Sequence, residues 1–203
     1  MLKTFRESLC AGVLITIGGT VFLSCENKTV GAVLFSVALL CICYEGYYLF
    51  TGKIGYLVEQ HRKKDFADLL IGLLGTLICT FLLGMLLRNV LPDIGDKAAQ
   101  MCSAKLMQNP LHTFIQGFFC GILMYLAVSI YKEKNSVLGI LFCVPVFILC
   151  GFEHSIADMF YLGASGIFSV KIIPFTALVV AGNTFGAIVL PLLKGVHTDE
   201  KQG

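Results

Sequence analysis

The chain has 203 residues, 57% of them hydrophobic and 14% charged, with a mean hydropathy of +0.84. A soluble domain of this length could not hide so much apolar surface in one core, so most of it must face lipid. A net charge of +2, spread among the loops, gives no basis for a nucleic-acid partner, and with no Trp any interfacial belt must rely on Tyr.

Apolar runs fall at 8–24, 30–58, 66–92, 108–130, 136–165 and 171–193. Each is near or above the roughly 20 residues that a helix needs to cross the hydrocarbon core. The first has no small-residue cleavage site of the A-x-A kind and is read as a mature helix rather than a signal peptide. The second is too long for one plain crossing and is interrupted at Tyr44-Glu45-Gly46 and Thr51-Gly52-Lys53. The fifth is interrupted in the same way, at Gly151-Phe152-Glu153-His154 and Gly163-Ala164-Ser165-Gly166. Polar, Gly-rich breaks at membrane depth are tolerated only where they line a cavity or are buried in protein. Segments 2 and 5 are therefore expected to be broken helices around a shared pathway. The 21 glycines suit close approach of helix backbones.

The expected fold is an all-α membrane protein, one domain over 1–203 with six transmembrane helices. Three segments followed by three more, each trio broken in its middle member, is the pattern of an inverted 3+3 repeat with a site near the midplane. Cys43-Tyr44-Glu45-Gly46 echoes Gly151-Phe152-Glu153-His154 through an aromatic–Glu pair. Lys3, Arg6, the His61-Arg62-Lys63-Lys64 cluster, Lys132, Lys134, Lys194 and Lys201 fall on one side. Lys28, Arg88, Lys97, Lys105 and Lys171 fall on the other, so both termini are expected in the cytoplasm.

Within these segments Glu153 and His154 stand between apolar stretches, and an intramembrane ionisable residue points to function by default. His154 reads as a conduction residue or as a neutral imidazole tying helices together. Glu153 reads as structural, accepting donors freed by the helix break. Thr51 offers a hydroxyl to a small anion opposite His154, or is a turn residue before Gly52. Lys105, just before segment 4, either raises the local anion concentration at a vestibule mouth or is a solvated loop lysine. Asn183, between Gly182 and Gly186, reads as close packing with an amide bonding across helices. The nine cysteines lie mostly in apolar runs without a Cys-x-x-Cys pair, so no disulfide framework, metal or cofactor is expected.

The string Gly151-Phe152-Glu153-His154-Ser155-Ile156-Ala157-Asp158-Met159-Phe160 resembles the segment-5 signature of the formate/nitrite transporter family. Leu49-Phe50-Thr51-Gly52 is similar to that family's segment-2 loop motif, and Gly182-Asn183 with Gly186 after Pro174 to its segment-6 pattern. Lys105, Phe114, Gly117, Cys120 and Leu126-Ala127-Val128 follow its segment-4 register. The resemblance implies a homopentamer of aquaporin-like protomers in the cell membrane, each a pore for small monovalent anions of weak acids, such as formate, nitrite, acetate, lactate or hydrosulfide. It implies functional roles for His154, Thr51 and Lys105. Phe35 and Phe147 would form one apolar constriction, and Leu39, Phe50 and Met124 the other. The partners implied are the anion, a proton and the bilayer.

Four positions depart from the family pattern as this resemblance gives it. Tyr48 stands where an acidic residue is usual, with Glu45 one turn earlier; Lys53 replaces an Asn, Gly121 a pore Asn, and Asp158 the Asn of the signature. These changes concern the chamber, and with it the solute. The reading is a channel or transporter, not an enzyme. The rivals are the same pore for another solute such as hydrosulfide, an intramembrane enzyme using Glu153 and His154, and a non-conducting structural subunit.

Overall fold

The computed structural model describes residues 1–58 and 63–194. His61, Arg62 and Lys201, which the orientation argument uses, lie outside the described residues, as does the side chain of Lys63. Among the described residues all regular secondary structure is helical.

Helix α1 (Leu2–Ser24) begins ahead of its apolar run because its polar first turns find partners. Thr4 donates to Asp68 at 2.8 Å and Ser8 to the Phe5 carbonyl at 2.7 Å. Asn27 then caps α2 (Lys28–Glu45), accepting from the Thr29 and Val30 amides at 2.9 and 3.2 Å.

Helix α2 stops at Gly46, whose φ of 69° suits a residue without a Cβ. The Gly46 amide donates to Cys43 O at 3.3 Å and the Tyr47 amide to Ile42 O at 3.0 Å. The chain then runs extended through Leu49 (φ −110°, ψ 121°) into the short α3 (Phe50–Lys53) and a 3-10 turn (Ile54–Val58). Helix α7 (Leu138–Leu149) ends the same way. Gly151 has a φ of 69° and donates to Ile148 O at 3.1 Å, while the Phe152 amide donates to Phe147 O at 2.9 Å. His154 (φ −108°, ψ 109°) then leads into α8 (Ser155–Ser165). Backbone geometry thus matches Gly46 to Gly151, and therefore Tyr48, not Glu45, to Glu153. The aromatic–Glu echo expected from Tyr44-Glu45 is out of register, because the left-handed glycine sets the alignment and Glu45 precedes it.

The remaining helices are α4 (Lys63–Val90), α5 (Pro92–Lys105), α6 (Pro110–Lys134) and α9 (Ile172–Lys194). Five helices among the described residues, α1, α2, α4, α6 and α9, are each long and apolar enough to cross a membrane, while α7 is apolar but has only 12 residues. Helix α4 exposes Leu70, Leu74, Ile78, Leu82 and Leu86 at every fourth position, an apolar stripe suited to lipid or a neighbouring chain. Helix α5 lies in a connection that the apolar runs leave blank. Pro92 starts it, and Ile94, Ala98 and Cys102 bury one face against the bundle, chiefly against α8.

Packing neighbours recur between the two halves. Helix α1 packs on α2 and α4, as α6 packs on α7 and α9; α4 covers α8, and α9 covers the 3-10 turn after α3. Helices α2 and α7 meet between the halves. The α6–α9 contact is close because glycines line it: a Cβ on Gly121 would press into the Asn183 backbone and lie 2.9 Å from the Ala187 amide.

Candidate functional site

The two helix interruptions meet. Thr51, in the first turn of α3, and His154, the residue that caps α8, lie 2.9 Å apart between Oγ1 and Nε2, and both are buried. The His154 Nδ1 accepts the Ala157 amide at 3.2 Å, one of the otherwise unpaired donors at a helix start. An accepting Nδ1 puts the ring hydrogen on Nε2, so Nε2 donates to Thr51. The threonine hydroxyl keeps its own hydrogen to give elsewhere. Phe147 stacks on the imidazole with centroids 5.6 Å apart and planes at 24°, and Phe35 meets Phe147 edge-on at 6.3 Å. An apolar pair therefore abuts the polar centre directly.

Asn183 ties the second interruption to its surroundings. Its Oδ1 accepts the Ser155 amide at 2.9 Å, and its Nδ2 donates to Gly117 O at 2.9 Å and Glu153 O at 2.8 Å. One side chain on α9 thereby satisfies backbone groups on both sides of His154 and on α6, as a buried amide must. The Glu153 carboxylate accepts from Lys105, and from Gln108 Nε2 at 3.3 Å. These donors are side chains from the end of α5 and the connection after it, so Glu153 and His154 serve different partners although adjacent in sequence.

Lys105 is not a solvated loop lysine. Its side chain is 13% exposed and is held between Glu153 and Asp158, with Asp158 Oδ1 at 3.0 Å. Burial disfavours the ammonium, but the Asp158 and Glu153 carboxylates outweigh that and raise the Lys105 pKa. Leu39 and Met124 sit in the large central apolar cluster with Phe35 and Phe147. Phe50, expected beside Leu39 and Met124, packs instead in a second cluster with Ile54, Leu69, Tyr125 and Ala187. Among the described residues no three His, Cys, Asp or Glu side chains lie close enough to share a metal ion, and all nine cysteines are free thiols.

The sequence profile described as formate/nitrite transporter matches residues 1–194. The chain belongs to the formate/nitrite transporter family. It is 26% identical over 179 residues to the uncharacterized transporter YwcJ of Bacillus subtilis, covering 78% of this chain and 70% of that protein. It is 27% identical over 190 residues to the formate channel FocA of Escherichia coli K12, covering 79% of this chain and 65% of that one. In fold it resembles a pentameric formate channel solved with formate bound, with a TM-score of 0.74, 21% identity and 95% of each chain covered. A second solved structure, an FNT family ion channel, gives 0.72 at 21% identity, covering 95% of this chain and 87% of that one.

As a formate/nitrite transporter family member, the chain is a membrane protein of a transport family. Its departures from the expected pattern now have places. Asp158 adds a second carboxylate to Lys105. Gly121 turns toward α9, where it permits helix contact. Tyr48 holds the position that Glu153 holds in the other half and lies under Lys53, whose Nζ is 5.7 Å from the ring centroid. Sequence reasoning missed Gln108, the partnership of Asp158 with Lys105, and α5 itself. The i, i+4 spacing of Ile94, Ala98 and Cys102 after Pro92 was the available signal for the helix.

Proposed function

We propose that the chain is a proton-linked channel for small monovalent anions of weak acids, formed by six crossings in an inverted 3+3 repeat with segments 2 and 5 interrupted. The matched Gly46 and Gly151 turns and the recurring packing neighbours support the repeat. The observation that carries the function is the Thr51–His154 hydrogen bond where the two interruptions meet, walled on one side by the Phe35–Phe147 pair. A bare anion meets a desolvation cost of several kcal/mol or more at an apolar ring, and the neutral acid far less. The donor hydrogen left on Thr51 would hold the anion while it gains a proton, and the neutral acid would then pass the second constriction, to which Leu39 and Met124 belong. Membership of the family and likeness to a formate-bound pentameric channel support a pentamer in the cell membrane with cytoplasmic termini.

Hydrosulfide in place of formate is favoured by one observation. Asp158 cancels part of the field of Lys105, and the conjugate base of a weaker acid depends less on that field because more of it is already neutral. Purified protein in liposomes, offered formate, nitrite, acetate, lactate and hydrosulfide across an imposed pH gradient, tests both readings. Uptake faster than in protein-free liposomes is expected for at least one of them, and no such uptake for any would overturn the channel reading.

A further inference from the structure

Lys105 stands between two carboxylates that are satisfied unequally. The Glu153 side chain is 1% exposed and that of Asp158 4%, and both reach the Lys105 Nζ. Each Glu153 oxygen has a donor, Lys105 at Oε2 and Gln108 at Oε1. Asp158 has one: its Oδ1 lies 3.0 Å from the Lys105 Nζ, while its Oδ2 is buried with no hydrogen-bond partner. A carboxylate oxygen left bare in a buried site is costly, and two carboxylates sharing one cation repel each other. A proton relieves both, and the place without a donor is Asp158 Oδ2. Among the described residues the other titratable groups that act on this cluster are Cys102 on α5, Cys120 on α6 and Tyr161 on α8. Helix α1 meets α8 through Gly19 and Phe22, α9 through Asn183, and α4 through Phe81 and Gly84, with Arg88 at the far end donating to Ser165 O. Lys105 also lines a depression of about 280 Å³ with Gln108, Thr113, Lys171 and Phe175, so the cluster borders the medium at the end away from the N terminus.

We infer that Asp158 is a proton-binding site reached from that side, and that the bound proton promotes entry of the transported anion there. The promotion of entry rests on the anion-channel reading; the proton site itself does not. The proton comes from the medium and binds Oδ2, leaving a neutral carboxyl, and no other bond forms or breaks. Lys105 is then balanced by Glu153 alone, and an anion arriving in the depression meets one negative charge fewer. The coupling is reciprocal: what the proton adds to anion affinity, the anion adds to proton affinity. Asp158 stands where the family pattern, as the resemblance gives it, has an Asn, which has no carboxyl to titrate, so the device belongs to this chain.

Infrared difference spectra of the protein in liposomes, taken between about pH 8 and about pH 5, read the site without transport. On acidification the carbonyl stretch of a protonated carboxylic acid should grow more in wild type than in Asp158→Asn, with Asp158→Ser as the second variant should the first fail to fold. Equal growth in wild type and variant overturns the site. Initial formate uptake at subsaturating concentration, with equal pH on both sides, tests the coupling. The rate of Asp158→Asn relative to wild type should fall from roughly fivefold near the alkaline limit toward equality near the acid one, because acid gives the wild type the neutral group that the amide always has. The general dependence of weak-acid uptake on pH is common to both and cancels in the ratio. A ratio that does not change with pH overturns the coupling and leaves the channel reading standing. If wild-type protein carries no anion at any pH, the channel reading falls and the infrared comparison alone decides the proton site.

Discussion

The two ends of the bundle hold their cations in opposite ways. At the end away from the N terminus, Lys105 is nearly buried and gripped by Glu153 and Asp158. At the N-terminal end, Lys53 lies over the Tyr48 ring, 5.7 Å from its centroid, beside a cavity whose walls carry no carboxylate among the described residues. A cation paired with buried carboxylates is costly to remove, whereas one resting on an aromatic face leaves no buried charge behind when it is replaced. Lys105, expected to gather the anion, is thus tied into the fold by Glu153 and Asp158, while Lys53 at the other end rests against the Tyr48 ring.

The largest effect should come from testing that division on stability. Lys105→Met leaves two buried carboxylates without their cation and should destabilise the protein by about 3–5 kcal/mol. Lys53→Met, which removes no buried partner, should change stability by only about 0.5 kcal/mol or less. Denaturant unfolding of the detergent-solubilised protein measures both, and equal losses would erase the distinction between the two ends.

Thr51→Val probes the link between them. The His154 Nε2–H would lose its acceptor at near-constant shape, with an expected loss of about 1–3 kcal/mol in stability and a slower flux of every permeant anion. Flux at the wild-type rate would remove Thr51 from the pathway.

The smallest effect is expected from Asp158→Asn, which lifts one of the two carboxylates from Lys105. Uptake from that end at subsaturating anion should rise a few-fold, about 1 kcal/mol, as the local field becomes more positive. An unchanged rate would mean that the Lys105 cluster does not act on the anion electrostatically.

How much of this was legible before the structure depends on the kind of signal. Long apolar runs located the spanning helices, and Gly151 and Gly46 marked where helices stop, because only a few residues adopt a left-handed backbone at low cost. His154 and Glu153 stood out as ionisable residues between apolar stretches. Their division of labour did not, because it depends on which partners α5 and α9 bring: Lys105 and Gln108 to one, while Asn183 bonds the backbone on both sides of the other. Helix α5 was hidden because its charged residues read as a loop and its buried face is only one narrow stripe. Asp158 was visible as a departure, but its pairing with Lys105 spans 53 positions and is a product of the fold.

A proton-linked channel carries one proton across with each anion. Liposomes containing the protein and a trapped pH indicator, given a formate gradient with equal pH on both sides, make the measurement. Internal acidification in step with formate uptake, and faster than in protein-free liposomes, is the predicted result. Formate uptake accompanied by a membrane potential and no internal acidification would contradict it.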